Sequence, residues 1–287
     1  MKALVTGAGG QLAVELERSL PKEIDVVSLS IEDLDITDRE AVIARVSSES
    51  PEFLINAAGY TAVDKAEDEE SIAMNVNSEG TRHLAEAANI SGAEFVYVST
   101  DFVFDGEHTS PYLRNEDPNP LSAYGRSKLA GEVVVREVLG DDALVVRTAW
   151  LYSSHGTNFV RAMLRVMKEQ GEVRVVDDQI GSPTWARTLA GSIWQLLAVK
   201  ARGVQHVTDS GCVSWYEFAV GIRDLAVERG LLKDAQVHPI STKDYPTAAQ
   251  RPAYSVLDIQ ETFSLLGESA PDWRRNLAIC LDEWTTL

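Results

Sequence analysis

The sequence predicts an α/β fold, a doubly wound parallel sheet with a smaller α/β substrate-binding lobe. Short apolar runs alternate with longer segments of helical periodicity, and these runs are residues 3–6, 26–29, 53–56, 95–99 and 144–148. The runs are nearly continuous hydrophobics, which is typical of parallel strands covered by helices on both faces. After about residue 150 prolines interrupt the pattern. We therefore assign residues 1–150 to the first domain and 151–287 mainly to the second lobe, with later segments adding to the first sheet.

Two helix starts are predicted from capping boxes, in which a hydroxyl side chain precedes the helix and a glutamate follows three residues later. The first pairs Thr37 with Glu40, and the second pairs Ser214 with Glu217. Both positions fit the alternation of strands and helices.

Composition excludes several classes of function. The 287 residues carry a formal net charge of −18, which disfavours binding to nucleic acid or to an anionic membrane. The 2 cysteines are too few for a disulfide framework, and the 5 histidines have no metal-ligand spacing. The sequence has no signal-peptide pattern at its start and no apolar run of about 18 residues. These features predict a reduced, cytoplasmic protein.

A glycine-rich turn follows the first predicted strand. Gly7 and Gly10 stand in this turn, and Ala13 allows close packing of the helix that follows. Glycine permits positive φ and lets the backbone approach a pyrophosphate, which then meets the free N–H groups of the helix start. A βα turn can also need glycine for conformational reasons alone. Its place after the first strand favours a Rossmann-like dinucleotide site, so residues 1–150 are predicted to be the dinucleotide-binding domain.

The end of the second strand bears on the choice of cofactor. Sites that bind NAD usually carry an acidic residue there, where it holds the ribose 2′-hydroxyl. Here the strand ends in Ser28-Leu29-Ser30, with neither a carboxylate nor an arginine at the tip. We therefore predict NADPH as the cofactor, with NADH tolerated.

Three side chains form a candidate reacting group. Thr100 ends the fourth strand, Tyr124 follows 24 residues later, and Lys128 shares a helix face with Tyr124. A lysine ammonium stabilises a neighbouring phenolate, which helps the tyrosine pass its proton to a carbonyl oxygen as hydride arrives. The Thr100 hydroxyl can polarise the same oxygen. The alternative is that Tyr124 and Lys128 merely share an amphipathic helix face.

These motifs resemble the extended short-chain dehydrogenases/reductases, and within them the dTDP-4-dehydrorhamnose reductase family. The resemblance covers essentially the whole chain. The remaining segments that carry it are residues 56–67, 99–106, 147–150, 178–184 and 251–252. It implies NAD(P)H-dependent reduction of the C4 ketone of dTDP-4-dehydro-L-rhamnose to dTDP-L-rhamnose.

The resemblance also implies roles for individual residues. Thr100, Tyr124 and Lys128 would be catalytic. The implied cofactor-binding residues are Gly7, Gly10, Gln11, Leu12, Asp35, Ile36, Ala57, Ala58, Tyr60, Asn77, Tyr124 and Lys128. The implied substrate-binding residues are Thr100, Asp101, Phe102, Tyr124, Trp150 and Arg251, the last meeting the substrate diphosphate. From the residues alone, Trp150 is equally well a core aromatic and Arg251 a solvated cation.

The sequence departs from the family at two places. Phe102 stands where members commonly have tyrosine, so the sugar specificity stays open. Some members join two subunits through magnesium held by glutamates; Glu15 is retained, but Arg187 stands where such members have glutamate. We therefore predict no metal site, and a homodimer stays open.

The sequence also allows other functions. One alternative is another nucleotide-sugar 4-ketoreductase or an epimerase of the same superfamily, and another is a non-catalytic regulatory subunit resembling the methionine adenosyltransferase β-subunit. The acidic residues Asp105, Glu116 and Asp117 could suggest a glycosidase, but a solvated acidic loop is favoured. Trp273 and Trp284, at helical spacing, are predicted to close the core of the second lobe.

Overall fold

The structure is a computed structural model that describes residues 1–284. The strands are β1 (Lys2–Thr6), β2 (Asp25–Leu29), β3 (Phe53–Asn56), β4 (Glu94–Thr100), β5 (Leu144–Thr148), β6 (Leu151–Tyr152), β7 (Glu172–Val176), β8 (Ile180–Gly181), β9 (Thr184–Trp185), β10 (Gly203–His206), β11 (Val213–Ser214) and β12 (Gln236–Ile240). The helices are α1 (Gln11–Arg18), α2 (Arg39–Glu49), α3 (Glu70–Met74), α4 (Thr81–Ser91), α5 (Ala123–Leu139), α6 (Phe159–Gln170), α7 (Ala186–Ala198), α8 (Trp215–Glu228), α9 (Gln260–Leu266) and α10 (Trp273–Trp284).

The main sheet has six strands in the order β10-β5-β4-β3-β1-β2, and every neighbouring pair is parallel. All five strands expected from the apolar runs are present. The chain runs from β1 outward to β2 and then returns to the other side of β1 as β3, so the strand order reverses between β1 and β3. The carboxyl ends of strands at such a reversal form a crevice where open α/β sheets bind ligands.

Helices cover both faces of the sheet, which confirms the predicted doubly wound fold class. On one face α1 and α7 pack against the strands through residues such as Leu16 and Ile193. On the other face α2, α4 and α5 bury residues such as Val42, Leu84 and Val135. Because each strand contacts helices above and below, its side chains are apolar on both faces.

Much of the chain beyond residue 150 forms a separate layer of α6, α8 and α10 around a core that includes Phe218 and Leu277. Trp273 and Trp284 pack against this core, as expected. The small parallel pair β7–β12 lies against α6 and α8. Strand β10 instead pairs with β5 in the main sheet, and α7 packs on α1. The division of the chain near residue 150 stays a prediction.

One of the two predicted capping boxes is confirmed and the other is wrong. The Ser214 hydroxyl accepts from the Glu217 N–H at 3.0 Å, and the Glu217 carboxylate accepts from the Ser214 N–H. Helix α2, however, is capped by Asp38, whose carboxylate accepts from the N–H of Ala41 at 3.1 Å. Thr37 lies one residue too early, because a capping side chain must stand directly before the first helical residue to reach the N–H of the third.

No helix within residues 1–284 is both long enough and apolar enough to cross a membrane.

Candidate active site

The glycine turn after β1 lies in the crevice between β1 and β3. Gly7 has φ of +82°, and its N–H donates to the carbonyl of Leu29 at 2.9 Å. A Cβ on Gly7 would stand 2.8 Å from the carbonyl oxygen of Ala57 and from the N–H of Ala58. Only glycine therefore allows the turn to approach the segment after β3 this closely. A Cβ on Gly10 would lie 2.9 Å from the Gly7 carbonyl, so the turn also excludes larger residues there.

The start of α1 is suited to an anion. Gly10 precedes the helix without a capping side chain, and no acidic residue lies in the first turn. A Cβ on Gly9 would meet no atom within 4 Å, so space is open beside the turn. Free N–H groups and the helix dipole attract a phosphate at such a position. Leu12 is buried beneath the turn. The side-chain amide oxygen of Gln11 accepts from the Ser153 hydroxyl at 3.0 Å and thus ties the turn to the second half of the chain.

The tip of β2 differs from the sequence expectation. The side chain of Asp33 folds back onto the tip, where it accepts from the N–H of Ser30 at 3.0 Å and from its hydroxyl at 2.8 Å. The expectation of no carboxylate at that tip was wrong, because an Asp three residues after Ser30 can close a turn onto it. Hydrogen bonds from Ser30 hold the pKa of Asp33 below its ordinary value, so the group is ionised at neutral pH.

Asp35 and Ile36 follow at the same end of the sheet. The exposed Asp35 carboxylate accepts from the N–H and hydroxyl of Thr37, which lowers its pKa. Ile36 is buried, and a Cβ on Gly80 would lie 2.7 Å from its side chain. The two residues are therefore fixed in place, one side chain toward solvent and the other toward the helical segment that includes Gly80.

The segment after β3 is held by one buried amide. Asn77 lies in a π-helical segment, Asn75–Gly80, between α3 and α4. Its amide accepts from the N–H of Tyr60 at 2.8 Å, donates to the Tyr60 carbonyl at 3.0 Å, and donates to the Ser127 hydroxyl at 2.9 Å. The Tyr60 hydroxyl donates to Glu69, which raises the pKa of the phenol to about 12. Asn77 thus links the segment carrying Ala57 and Ala58 to α5, between the two candidate catalytic residues of that helix.

The structure brings Thr100, Tyr124 and Lys128 together at the carboxyl end of β4. Thr100 is the last residue of β4, and the other two lie on the first turns of α5. Ser122 caps α5 and fixes where the helix begins. Burial raises the pKa of Tyr124 to about 12, and the neighbouring Thr100 hydroxyl acts in the opposite direction. A buried neutral phenol is a proton donor to an oxygen that becomes charged.

Lys128 is buried beneath this group. Its Nζ donates to the carbonyl of Val98 at 2.7 Å. Burial lowers the pKa of Lys128 to about 7, and the charge of Glu132, one helical turn later, acts in the opposite direction. The lysine is therefore balanced between its charged and neutral forms near neutral pH, so its surroundings decide which form is present.

Asp101 and Phe102 border the same group. Asp101 is buried, and desolvation raises its pKa to about 6 although the Thr100 hydroxyl donates to its Oδ1 at 3.0 Å. Its Oδ2 has no hydrogen-bond partner in the described part of the chain. The ring of Phe102 contacts that of Tyr124 edge to face at 5.7 Å between centroids. Phe102 has no hydroxyl group, and it orients the Tyr124 ring through this aromatic contact.

Trp150 and Arg251 have defined surroundings. Trp150 has φ of +48°, and its ring stacks on that of Trp215 at 3.5 Å between centroids. A Cβ on Gly181 would lie 2.5 Å from the Trp150 ring, so glycine is needed on that side. Arg251 forms a two-pronged ion pair with Asp64, at 3.0 and 2.7 Å. This pair bridges the segment after β3 and the segment before Tyr254, rather than leaving Arg251 as a solvated cation.

The residues tied to magnesium in some family members form an ion cluster here. Glu15 is fully buried, and its carboxylate accepts from Arg187 at 2.8 Å and from Arg18 at 3.0 Å. Glu283 lies between the same two arginines, at 2.6 Å from Arg187 and 3.2 Å from Arg18. Glu15, His155 and Glu283 place ligand atoms within 4.8 Å of one another, but the two guanidinium groups already neutralise the carboxylates. The donor set does not fit a divalent cation.

Sequence reasoning missed a buried ion pair beneath the candidate catalytic group. The Arg147 guanidinium on β5 donates to both oxygens of Glu132 on α5, at 2.9 and 2.7 Å. Ser99, in register with Arg147 on the neighbouring strand, donates to Glu132 as well. Two signals in the sequence could have found the pair: Glu132 stands one helical turn after Lys128, and Arg147 is a charge within an apolar strand.

Asp105 does not have the raised pKa that a glycosidase acid needs. Its hydrogen-bond partners outweigh its desolvation and lower its pKa, which favours the interpretation as an acidic loop.

Comparison with known proteins supports one family throughout. The family model described as RmlD substrate binding domain matches residues 1–286. The chain is 41% identical to a dTDP-4-dehydrorhamnose reductase of Burkholderia thailandensis, over 98% of each chain. It is 40% identical to a dTDP-4-keto-6-deoxy-D-glucose reductase of Streptomyces niveus, over 99% of this chain and 93% of the relative. A crystal structure of dTDP-4-dehydrorhamnose reductase from Bacillus anthracis in complex with NADP superposes with a TM-score of 0.92 at 38% identity, covering 98% of this chain and 99% of the other.

Proposed function

The chain belongs to the RmlD substrate-binding-domain family, and from that premise we propose that it is an NADPH-dependent dTDP-4-dehydrorhamnose reductase. It reduces the C4 ketone of dTDP-4-dehydro-L-rhamnose to the alcohol of dTDP-L-rhamnose. The observation that carries this proposal is the grouping of Thr100, Tyr124 and Lys128 at the crevice that also contains the glycine turn.

The residues of the chain perform the proton half of this reduction. When bound, the reduced nicotinamide supplies the hydride that adds to the carbonyl carbon. Tyr124 gives its proton to the carbonyl oxygen. The Thr100 hydroxyl, which donates to Asp101 in the structure, turns to donate to the same carbonyl oxygen. The Lys128 ammonium stabilises the phenolate that remains, and a proton from solvent restores the tyrosine. One ketone, one NADPH and one proton thus give one alcohol and one NADP⁺.

The cofactor is held by the backbone more than by charged side chains. The glycine turn and the uncapped start of α1 provide N–H groups for the diphosphate. The rest of the cofactor would be held by Asp35, Ile36, Ala57, Ala58 and Tyr60. At the tip of β2, the Asp33 carboxylate provides an acceptor for a ribose 2′-hydroxyl, which explains how NADH can serve beside NADPH.

Arg251 is the residue we assign to the substrate diphosphate. We expect Arg251→Ala to raise KM for the dTDP-sugar by roughly tenfold or more with little change in kcat, because a charge-assisted contact contributes about 1.5–3 kcal/mol. Steady-state kinetics with the sugar varied at saturating NADPH would measure this. Asp64→Asn is the matched control: it weakens the ion pair that occupies Arg251, so KM should stay the same or fall. An unchanged KM in Arg251→Ala would remove the residue from the substrate site.

A second substrate deserves the same test, because the relative from Streptomyces niveus is named for a dTDP-4-keto-6-deoxy-D-glucose. Phe102 stands where members of the family commonly have tyrosine, and it lies against the ring of Tyr124. An epimerase or a regulatory subunit of the same superfamily would consume no cofactor. A panel of keto-sugar nucleotides therefore distinguishes these functions by substrate and by net oxidation.

The direct experiment mixes the purified protein with NADPH and dTDP-4-dehydro-L-rhamnose. We expect the absorbance of the reduced nicotinamide to disappear in proportion to the ketone added, with dTDP-L-rhamnose identified by NMR as the product. NADH should support a slower reaction. If the protein oxidises NADPH only with dTDP-4-keto-6-deoxy-D-glucose, that sugar is the substrate instead of dTDP-4-dehydro-L-rhamnose. If neither sugar oxidises NADPH, the reductase proposal fails.

The partners and location follow from the same proposal. A dTDP-sugar is the substrate, and the net charge of −18 disfavours nucleic acid and anionic membranes as partners. The enzyme acts in the cytoplasm, where reduced cofactor and nucleotide sugars are available. It functions without a metal, as a monomer or a homodimer.

A further inference from the structure

Tyr97 lies directly beneath the side chain of Lys128. It belongs to β4, is fully buried, and presents its ring face to the lysine, with Nζ 4.2 Å from the ring centroid. The same Nζ donates to the carbonyl of the next residue of the strand, Val98. A desolvated ammonium over an aromatic face is attracted by the negative potential of that face.

The hydroxyl of Tyr97 contacts two backbone carbonyls at once. It lies 3.2 Å from the carbonyl oxygen of Lys128 and 3.3 Å from that of Asn77 in the π-helical segment. A Cβ on Gly131 would stand 2.3 Å from this hydroxyl, so glycine at that position of α5 gives the phenol its space. The Asn77 carbonyl also accepts from the Thr81 hydroxyl at 2.8 Å, so Tyr97 is the more distant of two hydroxyl donors to it.

Few groups stabilise the charge of Lys128. On α5 the charge of Glu132 favours the ammonium, although Glu132 is itself paired with Arg147. On β4 the contacts are the Val98 carbonyl and the ring of Tyr97. In the segment after β3, a Cβ added to Gly59 would lie 3.8 Å from Nζ. The aromatic face is therefore a main contact of the ammonium besides one carbonyl.

We propose that Tyr97 is a positioning residue whose ring face keeps Lys128 protonated. The effect on the rate rests on the proposed function, because Lys128 acts there through Tyr124. The effect on the lysine itself does not, so it can be measured in the protein alone.

The first measurement is the titration of Lys128 by NMR, with ¹³C at Cε of the lysines and the signal assigned by its loss in Lys128→Met. In Tyr97→Leu we expect the pKa of Lys128 to fall by about one pH unit, because a desolvated cation–π contact is removed. Tyr97→Phe keeps the ring and should leave the titration nearly unchanged. Phe95→Leu is the matched control, since Phe95 is a buried aromatic two residues earlier on the same face of β4.

A second set of variants keeps the shape of the ring, so that a folding failure of Tyr97→Leu does not matter. Phenylalanine at position 97 with one, two and three ring fluorines has a progressively weaker negative face. The pKa of Lys128 should fall stepwise along this series relative to Tyr97→Phe. Equal titration curves across the series would overturn the role of the ring.

The third measurement is the pH profile of kcat for NADPH oxidation. A lower pKa of Lys128 means that the ammonium is lost at lower pH, so the fall of kcat on the alkaline side should shift to lower pH in the trifluorinated variant. KM for the sugar should not change. If Lys128 titrates as expected but the kcat profile does not follow it, the proposed catalytic use of Lys128 is wrong while the contact with Tyr97 stands. If the titration itself is unaffected, the role of Tyr97 fails whatever the activity.

Discussion

Tyr124→Phe should reduce kcat for NADPH oxidation by about 100-fold to 10,000-fold, the range over which a positioned general acid contributes. The variant removes the proton donor but keeps the ring that packs edge to face on Phe102. We therefore expect the fold to be unchanged. Stopped-flow measurement of a single turnover would assign the loss to the chemical step.

Tyr60→Phe is the control for this variant. It also removes one phenol near the cofactor crevice, but the Tyr60 hydroxyl donates to Glu69 and not to a candidate catalytic group. It should lose only a few-fold in activity, on the order expected for one hydrogen bond. Full activity in Tyr124→Phe, or an equal loss in both variants, would refute Tyr124 as the acid.

Arg147→Met should cost about 3–5 kcal/mol in the free energy of unfolding, because it leaves the Glu132 carboxylate buried without its cation. Both side chains are nearly inaccessible, 4% and 7% exposed, and they join β5 to α5 beneath the candidate catalytic group. Urea denaturation followed by circular dichroism would measure the loss. Replacing both partners, as in Glu132→Gln with Arg147→Met, should restore part of it because no uncompensated charge remains.

The exposed pair between Arg82 and Glu137 is the control for this buried pair. Arg82→Met should change the free energy of unfolding by less than about 1 kcal/mol, since water already screens the two charges. If Arg147→Met also changed the free energy of unfolding by less than about 1 kcal/mol, the buried pair would contribute no more than a surface pair. It would also imply that Glu132 takes up a proton or finds another partner when Arg147 is removed.

Residue patterns along the chain were enough to predict the fold class and the order of the main elements. Continuous apolar runs predicted strands β1 to β5, because a parallel strand buried on both faces has no polar side to interrupt the pattern. The Ser214 capping box was also predictable from the sequence, since the cap and its partner lie within one helical turn. The candidate acid and its lysine were visible for the same reason: Tyr124 and Lys128 are four residues apart on a single helix.

What surrounds those residues depends on the tertiary packing of the strands and helices. Tyr97 and Lys128 are 31 positions apart, Glu132 and Arg147 are 15 apart, and Asp64 and Arg251 are 187 apart. Such pairs form only when strands and helices pack, and side-chain periodicity within one element carries no information about which neighbour it will meet. The balance of Lys128 between charged and neutral forms depends on this packing, because burial and an aromatic face act over a few ångströms of space rather than along the chain.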